Sequence, residues 1–339
     1  MNLGRGLLIH AGLFVLATAS AAHMWMRDEK PKALGQAEAT VWTGRAADVQ
    51  RIVFEGKNKK VTLETKKDDV GAYYVGALDR NEAPPTPPPA GSVAAPERPP
   101  SKTGKTEFVA VGAAQKIVDA MAPLKALRAL GKIPEDRASE FGLTEPEGTL
   151  IVALGGTERK LVIGGTTAGG GDRYVKDPSS GEIYVIDGDA VRDLDTAESR
   201  LIERDLHEWK EAEVTAANVK GGDKTRQIVR AGPEGKRFWA DPGAADQKDE
   251  TLANWMSKLD RLRPTDYVMT TPADKKDLFR IDYLAGSREL GFVEVARLGS
   301  TDSAGKPEYV VRTERTRLFA KVPASTAEQI EQDLGSVLK

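Results

Sequence analysis

His207 is the one histidine outside the amino-terminal segment, and it bounds the chemistry open to this chain. The other two, His10 and His23, fall in an apolar leader. A histidine-based zinc site needs two or three imidazoles at set spacings, and none of those spacings occurs. A Ser-His-Asp relay would need a nucleophile beside His207, but no Gly-x-Ser-x-Gly elbow accompanies it. The count of cysteines is 0, which removes thiolate catalysis, disulfides, Cys-type metal sites and an acylated lipoprotein anchor together. His207 therefore reads as an ordinary residue at the junction between two units.

The remaining motifs are weaker. Gly104-Lys105-Thr106 mimics the end of a phosphate-binding loop, yet Pro99 occupies the position that needs glycine. Gly164-Gly165 and Gly169-Gly170-Gly171 offer backbone N–H groups to an anion, but no helix start follows, so they read as flexible β-connections. Asp187 and Asp189 begin a calcium-loop pattern that Val191 and Arg192 interrupt. Glu328 and Glu331 read as the solvated face of a terminal helix. No catalytic, cofactor-binding or metal residue is assigned, no cofactor is expected, and the chain is read as a non-enzyme.

Aromatic residues lead to the organisation of the chain. Trp42 and Trp209 precede the first strand of each unit, and Tyr74 and Trp239 fall in the third. They would serve as platforms for a sugar or peptide, or as core residues fixed by an internal repeat; the repeat favours the core. Val49, Phe54, Leu63 and Tyr74 recur as Val214, Val219, Ile228 and Trp239 at a constant offset of 165. Ile117, Met121, Leu124 and Leu127 recur as Leu252, Met256, Leu259 and Leu262 at an offset of 135. The offset drops by 30 because a proline-rich insertion, within Asn81–Ser101, interrupts the first unit. This insertion holds eight of the 19 prolines and reads as an extended excursion.

The elements follow the same order twice. Val49–Glu55 and Val61–Thr65 predict a hairpin around Gly56–Lys60, with Ala72–Val75 a third strand. Ile117, Met121, Leu124, Leu127 and Leu130 have helical spacing. Thr149–Leu154 with Lys160–Gly164, and Arg173–Lys176 with Glu182–Ile186, predict two more hairpins, and Asp189–Arg200 a helix. In the second unit Val214–Lys220, Thr225–Arg230 and Phe238-Trp239 precede a helix at Asp249–Leu262. Phe279–Leu284 then pairs with Glu289–Ala296, and Glu308–Arg312 with Arg317–Val322, before a last helix from Ser325 to Leu338. Antiparallel hairpins with packed helices predict an α+β fold of two tandem homologous units, residues 42–206 and 207–339.

Ahead of them lie a leader, residues 1–26, and a polar stalk, residues 27–41. Leu7–Ala22 is apolar, follows Arg5 and ends in the small-residue pattern Ala19-Ser20-Ala21. It suits a signal peptide cleaved near Ala21, or an anchor spanning residues 7–25 with Trp25 at the interface; the anchor is preferred. Either way the body is exported. Hydrophobic residues at 40%, charged residues at 29% and a net charge of -2 describe a soluble body and argue against nucleic acid as partner.

Glu140-Phe141-Gly142-Leu143-Thr144-Glu145-Pro146 leads into a strand, a glycine turn and a strand ending in Ile163-Gly164. Arg173-Tyr174-Val175, Ile183-Tyr184-Val185-Ile186 and Leu201-Ile202-Glu203-Arg204-Asp205-Leu206 follow. In order and spacing these segments resemble the bacterial family catalogued as domain of unknown function 4340, from Trp42 onward. The resemblance implies an envelope protein with one amino-terminal transmembrane segment, often encoded beside ABC transporter components of the gliding-motility type. It implies no catalytic residues, and the proline-rich insertion departs from it. The function expected is a non-enzymatic extracytoplasmic accessory of a membrane complex, with a permease as partner, anchored in the cytoplasmic membrane with its body in the periplasm. The alternative is an exported binding protein for a cell-wall glycan or peptide, soluble in the periplasm.

Overall fold

The computed structural model describes residues 38–80, 104–302 and 305–339. The expectations for the leader, most of the stalk and the proline-rich insertion lie outside the described residues. Among the described residues no helix is long and apolar enough to cross a membrane.

The chain opens with β1 (Ala39–Trp42), β2 (Val49–Gly56), β3 (Lys59–Lys67), β4 (Ala72–Arg80) and β5 (Gly104–Ala110). Helix α1 (Gly112–Met121) leads to β6 (Leu124–Ala126), β7 (Arg128–Lys132), β8 (Gly148–Leu154), β9 (Thr157–Thr166), β10 (Asp172–Lys176) and β11 (Glu182–Asp187). Two short helices follow, α2 (Asp189–Asp195) and α3 (Ala197–Arg200). The second half contains β12 (Ala216–Gly221), β13 (Lys224–Ala231), β14 (Phe238–Ala240), α4 (Glu250–Leu259) and β15 (Asp266–Val268). It ends with β16 (Lys276–Ala285), β17 (Arg288–Thr301), β18 (Pro307–Thr313), β19 (Phe319–Val322) and α5 (Ala324–Val337).

The strands form two large antiparallel sheets, so the α+β class holds. The first has the order β5-β4-β3-β2-β8-β9-β10-β11-β7, and the second β14-β13-β12-β16-β17-β18-β19-β15. Alternation sets which face is buried: in β8, Leu150, Val152 and Leu154 point inward while their neighbours are half-exposed. That face joins Ile52, Phe54, Leu63, Leu161 and Ile163 in a core closed by Ile117 and Met121 of α1 and Leu194 of α2. In the second sheet Ala217, Val219, Ile228 and Ile281 pack against Leu252, Trp255 and Met256 of α4 and Ile330 of α5.

Strand register follows the spacing seen in the sequence. Ile52 opposes Leu63 and Thr65 opposes Tyr74; Ala217 opposes Ile228 and Arg230 opposes Trp239. The residue numbers of the second set exceed those of the first, in order, by 165. The four aligned apolar positions Val49, Phe54, Leu63 and Tyr74 are buried, as are Val214, Val219, Ile228 and Trp239. Turn chemistry accounts for one two-residue hairpin: Gly155 and Gly156 both have positive φ, 58° and 80°, as the turn between β8 and β9 requires.

Four expectations need correction. The helical pattern from Ile117 to Leu130 stops at Met121, because Pro123 supplies no N–H and holds Ala122 in an extended conformation. Leu124 then enters β6, and Leu127 is 37% exposed. The helix expected over Asp189–Arg200 is split at Thr196, where α2 gives way to α3. The stalk ends early, since Ala39 and Thr40 pair with β6. Three short or edge strands, β5, β7 and β15, were not expected, since none carries a strong alternating pattern.

The two sheets meet where β5 approaches β15. Segment 201–205 crosses this seam: Glu203 N–H donates to the Val109 carbonyl at 2.8 Å, and the Tyr267 hydroxyl donates to the Glu203 carbonyl at 2.9 Å. Arg317, at φ 60°, reaches Asp68 and lies over the Tyr73 ring.

Candidate functional site

The segment that leaves the seam, residues 205–211, runs along one end of the second sheet and forms a wall of a cleft of about 260 Å³. Tyr283 of β16, Val293 of β17 and Trp239 of β14 supply the floor, and Leu259, Asp260 and Arg263 close it from the end of α4. Alternation on β16 puts Tyr283 on the same face as Ile281 and Phe279.

His207 stacks on Trp209 with ring centroids 4.2 Å apart and meets Tyr283 edge-on at 5.1 Å. Its Nδ1–H donates to Glu314, 2.9 Å from Oε1, while Glu314 Oε2 accepts from Phe292 N–H at 2.9 Å. A carboxylate on Nδ1 fixes the tautomer and leaves Nε2 as the acceptor of the neutral ring. Gly291 makes this arrangement possible: a Cβ there would fall 2.2 Å from Glu314 Cδ.

Charges ring the aromatic group. Asp260 reaches solvent at the rim, but crowding by protein and the nearby charge of Glu211 push its carboxyl up to about 6. Arg230 bridges Glu211 at 2.7 Å and lies over the Trp239 ring, 5.1 Å from its centroid. Burial holds the Tyr283 phenol well above its usual range. The Trp209 indole N–H and the Arg230 Nε–H are buried without a partner among the described residues. The lining contains an imidazole, three carboxyl groups and aromatic rings, but no serine, threonine or lysine. It can hold a proton and hydrogen-bond a small polar ligand; it presents no serine, threonine or lysine nucleophile.

Among the described residues no group of three or more His, Asp or Glu is placed to hold a metal ion. The family model described as "Domain of unknown function (DUF4340)" matches residues 109–279, half of the chain. The chain belongs to this family. The matched stretch runs from the end of β5 into β16, so it includes the seam segment and His207 but starts well after Trp42. Neither a curated protein nor a solved structure matches the chain.

The DUF4340 segment Phe141-Gly142-Leu143 has a packing role. Gly142, at φ 65°, ends a 3-10 helix, and a Cβ on it would stand 2.5 Å from Gly165 N. A Cβ on Gly164 would stand 2.3 Å from the Phe141 carbonyl oxygen. The two glycine sites let a loop and β9 touch, which accounts for Gly164-Gly165 without an anion. Gly104-Lys105-Thr106 is part of β5, paired with β4. Asp187 accepts from Asp189 N–H at 2.8 Å and so forms a local turn. Glu331 is no simple solvated residue: it accepts from the Tyr309 hydroxyl at 2.7 Å and pairs with Arg297 at 3.2 Å.

Of the four aromatics, Trp42, Tyr74 and Trp239 are buried, and the Trp42 indole donates to the Met121 carbonyl at 2.7 Å. Trp209 is half-buried in the cleft. His207 lies in the segment between α3 and β12. Its partners Glu314, Asp260 and Tyr283 are distant in sequence, and only Gly291, a glycine within a strand pattern, hinted at a close approach.

Proposed function

We propose that this DUF4340 chain is a non-enzymatic extracytoplasmic accessory of a membrane complex, built from two tandem homologous units. Residues 7–25 anchor it in the cytoplasmic membrane with the body in the periplasm, and the partner is a permease of the ABC type that the resemblance implies. The observation that carries this reading is the repeated register, Thr65 opposite Tyr74 and Arg230 opposite Trp239. A duplicated scaffold joined through a buried seam offers two related, rigidly spaced surfaces, which suits assembly. The test is extraction of the full-length chain from membranes in detergent. The reading expects retention in the membrane fraction and an integral membrane protein that co-purifies in fixed ratio; a soluble chain beginning near Ala22 would overturn it.

The cleft supports a second reading, an exported binding protein for a cell-wall glycan or peptide. The unpartnered Trp209 indole N–H, in a residue that lines the cleft together with Asp260, is the observation that favours it. Titration of wall fragments against Trp209→Phe tests it, with loss of binding expected in the variant.

A further inference from the structure

We propose that the groove between α1 and α2 is a docking site for a basic segment of a partner protein that inserts one bulky apolar side chain; the inference rests on the duplication proposed above. In the second half, the equivalent space is filled from within. Trp255 of α4 is 0% exposed, and its indole N–H donates to the Ile330 carbonyl of α5 at 3.0 Å. The offset of 135 that aligns Ile117 with Leu252 and Met121 with Met256 aligns Ala120 with Trp255. An indole on one side is thus a methyl group on the other.

The consequence is an open groove of about 680 Å³ whose apolar floor includes Ala120, Leu124, Leu127 and Ile186. Leu127, 37% exposed, aligns with Leu262, which is 0% exposed. Leu127 thus keeps apolar surface open to a partner, above the buried Leu124 and Ile186. Charge selects the partner. Asp119, Asp187 and Asp193, with Asp189 paired to Arg192 at 3.0 Å, rim the groove against Lys116 and Lys125, so a segment bearing lysine or arginine beside its apolar anchor is complementary. An aromatic anchor in a pocket with a charged rim is the usual centre of a protein–protein contact.

The experiment titrates the full chain in detergent with short fluorescent peptides: one tryptophan framed by lysines, the same tryptophan framed by glutamates, and the lysine frame with alanine for tryptophan. The lysine–tryptophan peptide is expected to bind saturably, and the other two about tenfold more weakly or not at all. Ala120→Trp should weaken binding by about tenfold or more while the melting temperature holds or rises. Asp119→Lys with Asp193→Lys, both on the rim, should weaken it without touching the floor. Equal binding by the glutamate peptide, or by Ala120→Trp, overturns the proposal, as does binding to lipid vesicles or to a second copy in place of the peptide. If Ala120→Trp is stabilising yet no peptide binds, docking fails and the duplication stands. If Ala120→Trp unfolds the chain, the alignment with Trp255 fails, and the rim variant then decides the docking.

Discussion

Glu203 and Arg315 form an ion pair across the seam between the sheets, with Nη2 2.9 Å from the carboxylate and Glu203 only 8% exposed. Arg204 and Asp205 N–H groups also donate to the Glu203 carboxylate, at 3.1 and 3.0 Å. A buried carboxylate held this way fixes how the first half sits on the second.

Arg315→Ala leaves that carboxylate without its cation. Loss of one partner of a buried pair costs about 3 kcal/mol; the two backbone donors reduce it here. Denaturant unfolding is expected to show a lower midpoint and, with the seam loosened, separate transitions for the halves. An unchanged single transition would mean the seam contributes little.

Gly142→Ala adds a Cβ into Gly165 at a left-handed backbone position. Conformational strain alone costs about 1–3 kcal/mol, and the clash adds to it. The melting temperature should fall by several degrees, whereas Gly169→Ala, with open space around it, should change little.

Trp255→Ala empties the space between α4 and α5 and removes the indole donor to the Ile330 carbonyl, which stays within the α5 helix. The expected loss is about 3–5 kcal/mol, read by urea unfolding. A loss near zero would show that the helices close over the gap.

Asp260 gives a pH signature. Its folded value of about 6 lies above the unfolded value, so the folded state holds the proton more tightly. This contribution is fully present below the unfolded pKa, near pH 4, and is lost as pH rises through about 6. Because the side chain is partly exposed, water screens the effect to about 1 kcal/mol or less. Unfolding free energy of the wild type should decline relative to Asp260→Asn between pH 4 and 7; parallel curves would remove the shift.

How much of this was legible in the sequence varies by residue. Hairpins were readable because glycine turns such as Gly155-Gly156 punctuate alternating strands, and α4 because Leu252, Met256 and Leu259 keep helical spacing. The end of α1 was misread because apolar spacing continued past Pro123, and the backbone effect of proline outweighed it. The cleft was not legible. His207 and Glu314 are 107 residues apart, and only folding of the second sheet brings them together.

The central claim is assembly with a membrane partner, and the most direct measurement compares co-purification by wild type, Ala120→Trp and Trp209→Phe. Each tagged full-length chain is cross-linked in cells, and the ratio of integral membrane partner to chain is quantified. The account predicts a fixed ratio for wild type and Trp209→Phe and a marked fall for Ala120→Trp. No membrane partner with the wild-type chain, or loss of the partner with Trp209→Phe alone, would contradict it.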